Sequence, residues 1–172
     1  MEHCDCAVTS SLLGPLWICA TETGICGLGF GESPSDAEVR RMARYEIAPP
    51  EPGTTPVLQA AMSQLADYFD RVLQVFDVPL DLRGTPFQRA VWAELLTIPY
   101  GTTLTYGEIA MEVEHPRAFQ AVGQANGANP VAIIVPCHRV VGRNGKLTGY
   151  AAGVERKAAL LQLEQDGLQL RF

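Results

Sequence analysis

No apolar run in this chain approaches the roughly 20 residues that a membrane-crossing helix needs, and Met1 to Ser11 has neither the basic start nor the apolar centre of a secretory signal. A cytoplasmic protein is expected, with no membrane partner. The cysteines number five, an odd count without an export signal, which argues against a disulfide framework and for reduced thiols. No internal repeat, low-complexity tract or glycine loop of phosphate-binding spacing is present. Histidine is scarce, limited to His3, His115 and His138, and between Arg117 and His138 there is no charged residue at all.

With 172 residues, 47% of them hydrophobic, the chain can bury one good core, or a small lobe and a larger one. Its net charge of −6 weighs against a polyanionic partner, but the distribution matters more. Residues 1–83 carry 5 basic and 12 acidic side chains, residues 84–172 carry 8 and 7. The acidic excess lies in the first half, leaving the second free to approach an anion without a strong steering field.

Chemistry concentrates at Pro136-Cys137-His138-Arg139-Val140-Val141. The apolar run Val131 to Val135 reads as a buried strand, and Pro136 cannot continue a ladder, so Cys137 is expected at the lip of the core. A thiol is only slightly ionised at neutral pH, and a useful nucleophile needs a base or a positive field beside it. His138 and Arg139 are candidates for both. If the segment is extended, neighbouring side chains face opposite sides, so a water would have to bridge Cys137 and His138. Most free cysteines are small buried hydrophobes, and that reading stands beside the functional one.

The organisation is that of an α/β protein with a small sheet-and-helix lobe over residues 1–82 and a mainly helical domain over residues 83–172. Pro15 to Ala20 and Ile25 to Phe30 read as strands around a Thr21 to Gly24 turn, with Val75 to Leu82 as a further strand. Ser33-Pro34 and Thr55-Pro56 each place a hydroxyl before a proline, opening helices towards Tyr45 and Asp70, with the segment from Ala48 to Pro56 as the loop between them. Thr85-Pro86-Phe87-Gln88 and Thr105-Tyr106-Gly107-Glu108 are capping boxes. The first opens a helix whose buried stripe is Phe87, Val91, Trp92, Leu95 and Leu96; Trp17 and Trp92 read as packing residues. The second opens a short helix through about Val113, which His115-Pro116 breaks before another helix from Arg117 to about Ala128. Such a pair fits a helix-turn-helix, although by spacing alone two ordinary packed helices are the commoner arrangement. A last helix spans Val154 to Glu164 with Val154, Ala158, Leu160 and Leu161 inward.

The second half resembles the DNA-repair alkyltransferases that act on O6 of guanine, the bacterial methylated-DNA–protein-cysteine methyltransferases. The resemblance rests on Gly84-Thr85-Pro86-Phe87-Gln88, Ile98-Pro99-Tyr100-Gly101, Thr105-Tyr106-Gly107-Glu108-Ile109-Ala110, Ala121-Val122-Gly123, Ala125-Asn126-Gly127, Asn129-Pro130, Pro136 to Gly142, and Leu147-Thr148-Gly149-Tyr150-Ala151. It covers roughly Asp81 to Glu164; the first half matches weakly.

The resemblance implies direct reversal of O6-alkylguanine damage in double-stranded DNA by a monomer that needs no cofactor and is consumed by one turnover. Cys137 is the implied alkyl acceptor, His138 (through a water) and Glu164 the relay for its proton, and Asn129 the brace of the turn presenting it. Tyr106 would crowd the phosphate beside the lesion and donate to guanine N3. The second helix of the pair would meet DNA through Arg117, Phe119, Gln120, Ala121 and Gly123, with Arg139 nearby. The target nucleotide must leave the stack. Where the family usually has an arginine to fill the gap, this chain has Gln120, beside Phe119 where a small residue is common. Either Gln120 inserts, or Phe119 wedges, as apolar side chains do in other DNA-kinking proteins. Tyr150, Ala151 and Ala152 would form the pocket wall, and Ala152, standing where a second glycine is frequent, implies preference for methyl over bulky adducts.

The competing reading is a DNA-damage binding module of the same fold with weak or no transfer; Cys137 argues against it and Gln120 for it. A cysteine hydrolase would need a base aimed at the thiol, and the remaining histidines are His3 and His115. His3, Cys4, Cys6 and Cys26 could provide four zinc ligands, as in some relatives, but Cys-x-Cys at a mobile terminus is not usual knuckle spacing, and free thiols are the expectation. Cys19 is expected in the core.

Overall fold

The computed structural model describes residues 1–169, which form two compact units, Met1–Arg83 and a second from Gly84 onward. In the first, β1 (Asp5–Thr9), β2 (Leu16–Ala20), β3 (Ile25–Phe30) and the two-residue β4 (Glu51–Pro52) make one sheet in the order β3-β2-β1-β4. The β1/β2 and β2/β3 pairs are antiparallel and β1/β4 is parallel. Helices α1 (Asp36–Arg44) and α2 (Pro56–Phe69) follow the hairpin and β4 respectively. Every residue of β2 is buried, including Trp17.

Several expectations for this unit are corrected. The N-terminal segment is not a mobile end: it is β1, hydrogen-bonded on both sides, and β4 lies inside the stretch expected to be loop. The α1 cap is Ser35, not Ser33, because Ser35 has Glu38 three residues on to close a capping box. The segment Val75 to Leu82 forms a single bridge, Leu80 with Ile25, rather than a strand. Pro79 lies in its middle and has no N–H to donate to a ladder.

In the second unit, α3 (Pro86–Leu95) and α4 (Tyr106–Glu112) start at the capping boxes of Thr85 with Gln88 and Thr105 with Glu108. Leu96, expected on the buried stripe of α3, is 45% exposed, since it is the C-cap where the helix has ended. After α4 the chain turns through Glu114 at φ 63°, and α5 (Phe119–Gly127) begins two residues later than expected. The Trp92 indole donates to the Ala125 carbonyl at 2.8 Å, fixing α3 against α5. Helices α4 and α5 thus form the helix-turn-helix.

Strands β5 (Leu104–Thr105) and β6 (Val140–Val141) pair in parallel, joining the segment just after Cys137 to the cap of α4. The last helix, α6 (Val154–Gln169), buries Lys157, Leu160, Glu164 and Gly167. Val154 and Ala158, expected inward, are exposed. Helical spacing places Lys157 and Glu164 on the same face as Leu160, and their ion-pair and carbonyl partners in the interior reward that choice.

Candidate active site

The run Val131 to Val135 is a buried turn, not a strand. Asn129 closes it at both ends: its amide nitrogen donates to the Val135 carbonyl at 2.8 Å, and its side-chain oxygen accepts from Val131 N–H at 3.0 Å. Inside, Val135 N–H reaches the Val131 carbonyl at 3.1 Å. Ile133 takes φ 69°, a left-handed conformation that a β-branched residue adopts only when its surroundings enforce it. These bonds take the place of a strand ladder beyond Val131, which alone forms a bridge. The chain then passes into one 3-10 turn, Cys137–Arg139.

Cys137 is 5% exposed, so it lies inside the wall rather than at the lip of the core. The buried Asn126, part of a motif quoted from the sequence but given no role there, donates to its carbonyl at 3.3 Å. Burial raises the thiol pKa, against the pull of the Asn129 amide, the Lys157 ammonium and nearby backbone N–H groups. Cys137 and His138 follow each other in a 3-10 turn, so the alternation argument does not apply. The imidazole nonetheless turns away, with Nε2 at 2.6 Å from a Glu164 carboxylate oxygen.

That carboxylate sets the imidazole tautomer. Because the Glu164 carboxylate can only accept, Nε2 carries the proton and donates to it, which leaves Nδ1 as a buried acceptor with no hydrogen-bond partner among the described residues. Burial holds His138 below its usual pKa, with the Arg139 and Lys157 charges adding to the effect against Glu164. Burial alone would raise Glu164; the hydrogen bonds and charges of His138 and Arg139 outweigh it and hold the carboxyl at about 2. Arg139 grips Glu164 through Nε at 2.8 Å and Nη2 at 3.1 Å, and donates from Nη1 to the Ile98 carbonyl at 2.7 Å. Its guanidinium is therefore an interior clamp. The expectation that Arg139 meets DNA is corrected: it is 6% exposed, with its charge committed to Glu164.

A second buried cation was not foreseen. Lys157 is fully buried and donates to the Thr148 carbonyl at 3.1 Å, and Tyr106 OH donates to the same oxygen at 3.2 Å. A lysine at an inward helix position could have been flagged in the sequence, but the apolar stripe proposed for α6 was rotated away from it. Thr148 opens the loop that carries Tyr150, Ala151 and Ala152, and glycines at both ends, Gly149 at φ 51° and Gly153 at φ 101°, allow the chain to double back. The Tyr150 hydroxyl is buried without a partner among the described residues, and its pKa is raised by burial and by the Cys137 charge. Tyr150 thus stands near the sulfur, while Ala151 is exposed and Ala152 half-buried.

On the helix-turn-helix, Arg117, Phe119, Gln120 and Ala121 are exposed and Gly123 faces the Tyr106 ring. Of these, Phe119 borders a groove together with Tyr106, Gly107 and Glu108 at the start of α4. In the first unit, the four proposed zinc ligands are not assembled. Cys6 is disulfide-bonded to Cys19 directly across the β1/β2 pair, correcting the expectation of reduced thiols for these two. His3 Nε2 lies 3.2 Å from Asp5, and the Cys4 and Cys26 sulfurs are 3.7 Å apart in the core with Cys19. Among the described residues no three His, Cys, Asp or Glu side chains form a metal-binding group.

A cysteine braced on a rigid turn, backed by a neutral imidazole on an ionised carboxylate and attached to a helix-turn-helix, defines a nucleophilic protein of the DNA-binding class. Residues 86–166 match the family model described as 6-O-methylguanine DNA methyltransferase, DNA binding domain, and residues 5–82 match its ribonuclease-like domain. The methylated-DNA–protein-cysteine methyltransferase of Methanosarcina barkeri is 43% identical over 162 residues, 94% of this chain and 98% of that protein. That of Mycobacterium tuberculosis is 60% identical over 117 residues, 68% of this chain and 69% of its own length. The crystal structure of Mycobacterium tuberculosis OGT in complex with DNA superposes with a TM-score of 0.80 at 47% identity, covering 96% of this chain and 94% of that one. The chain belongs to the methylated-DNA–protein-cysteine methyltransferases, which repair DNA by direct reversal in a single turnover. No helix among the described residues is long and apolar enough to cross a membrane.

Proposed function

We propose that Cys137 accepts the alkyl group, chiefly methyl, from O6 of guanine in double-stranded DNA, and that one chain acts alone. Sγ attacks the alkyl carbon in line, the S–C bond forms as the C–O6 bond breaks, and guanine departs with the electron pair. The thiol proton passes through a water to His138 Nδ1, and Glu164 stabilises the imidazolium so formed. The observation that carries this reading is a buried imidazole whose Nδ1 has no partner among the described residues and whose other nitrogen is fixed at 2.6 Å on an ionised carboxylate. A buried thiol with a raised pKa needs such an acceptor at the moment of attack.

Lys157 adds positive potential at the sulfur as negative charge develops there. Tyr106, now donating to Thr148, would exchange that bond for guanine N3 and so ease the leaving group's charge. Tyr150 would flank the everted base and the Ala152 methyl would narrow its pocket. The reaction is tested by mixing the protein with excess duplex carrying O6-methylguanine and measuring intact mass. Gain of one methyl group per chain, mapped to Cys137 and absent from Cys137→Ala, is expected; repeated turnover, or methylation elsewhere, overturns the assignment.

A further inference from the structure

We infer that Phe119 is the wedge that enters the base stack and holds open the space left by the everted nucleotide. This rests on the alkyl-transfer reading and adds the residue that makes eversion possible. Phe119 is the first residue of α5, 53% exposed, at a helix start with no side-chain cap. It borders a groove of about 700 Å³ together with Tyr106, Met111, Pro116, Arg143 and Asn144. Met111, across the turn, is 68% exposed. Two large apolar side chains thus stand in water beside Tyr106, the residue proposed to press on the phosphate of the target nucleotide.

Charge excludes the usual alternative. No charged residue occurs between Arg117 and His138, so α5 has no guanidinium to insert. Gln120 is exposed on the same helix but is not among the residues that border the groove. Apolar side chains that part base steps unstack them without hydrogen-bonding, and an aromatic ring recovers part of the lost stacking on the bases it parts. A phenyl ring has no donor or acceptor with which to read the orphaned base. Cytosine or thymine opposite the lesion should therefore be tolerated alike.

The test uses a duplex with O6-methylguanine and an adjacent 2-aminopurine, whose fluorescence rises when its neighbour unstacks. Protein binding is expected to raise the signal, and Phe119→Ala to cut both that rise and the duplex transfer rate by about tenfold. Phe119→Leu, which keeps an apolar wedge, should recover most of both, while Gln120→Ala, whatever it costs in affinity, should keep the unstacking signal at saturating protein. Loss of that signal in Gln120→Ala, or full unstacking by Phe119→Ala, overturns the inference. Transfer from a single-stranded oligonucleotide, which has no stack to hold open, reports the alkyl-acceptor reading separately. The fluorescence readout is independent of methyl transfer, so failure of one reading does not mask the other.

Discussion

Lys157 and Tyr106 converge on one acceptor, the Thr148 carbonyl, at 3.1 and 3.2 Å. The lysine reaches it from α6 and the tyrosine from α4, so the loop presenting Tyr150 is tied to both helices. The lysine also places a buried charge that lowers the Cys137 pKa against the desolvation that raises it. Lys157→Met keeps the stem and removes the charge. It is expected to slow transfer at least tenfold, about 1.4 kcal/mol of lost stabilisation. It should also move the pH profile of Cys137 alkylation by iodoacetamide upward. Slower transfer with an unmoved profile would assign Lys157 to loop positioning alone.

The wild-type thiol itself should be sluggish. Because burial raises its pKa, its reaction with iodoacetamide at neutral pH is expected to be slower than that of a free cysteine and to climb with pH beyond the usual thiol range. Rapid alkylation that levels off near neutrality would contradict the burial of Sγ.

Glu164 ties stability to acid. Its folded pKa of about 2 lies below the ordinary value of 4.5, so its contribution is complete above 4.5 and is lost as pH falls towards 2. His138, also lowered, disfavours the fold below the ordinary imidazole value of 6.5, in the same direction. Between pH 6 and pH 3 the Glu164 contribution falls by about 2 kcal/mol. Urea unfolding at the two pH values should show that much less acid sensitivity in Glu164→Gln than in wild type. Equal acid sensitivity in the two proteins would mean that the carboxyl is not ionised in the fold.

Much of this site was legible in the sequence because it depends on local chemistry. The capping boxes at Thr85 and Thr105 fix two helix starts with only three residues each, and the break at His115-Pro116 divides the helix pair as expected. What failed depends on partners distant in sequence. An apolar run reads as a strand until the Asn129 side chain satisfies its backbone and folds it into a turn. Arg139 reads as a DNA contact until Glu164, 25 residues away, claims it. β1 was missed because its sequence, Asp5-Cys6-Ala7-Val8-Thr9, has little apolar alternation, and its strand character comes from being paired on both edges. Lys157 was missed because a charged residue is assigned to the surface by default.

Ala152 bears on the size of the alkyl group. It is half-buried in the turn closed by Gly153 N–H on the Tyr150 carbonyl at 2.9 Å, and on the proposed function its methyl would narrow the pocket wall beside Tyr150. Ala152→Gly is expected to raise the rate with O6-benzylguanine several-fold while changing the rate with O6-methylguanine little. Equal gains with both substrates would indicate a change in loop mobility rather than in pocket size.

The neutrality of α5 predicts where the remaining electrostatic contact lies. Arg143, exposed on the turn after β6, borders the groove that Phe119 and Tyr106 share. With no cation on the recognition helix from Ala118 onward, Arg143 is expected to neutralise phosphate on that side together with the exposed Arg117 just before the helix. Each phosphate contact adds about 0.9 to the slope of log affinity against log salt. Arg143→Gln should therefore weaken duplex binding uniformly across sequences and flatten that slope by about 0.9. Phe119→Ala, removing an apolar contact, should weaken binding with the slope retained. The two variants then separate charge from wedge in a single salt titration, and an unchanged slope in Arg143→Gln would place the phosphate contact elsewhere.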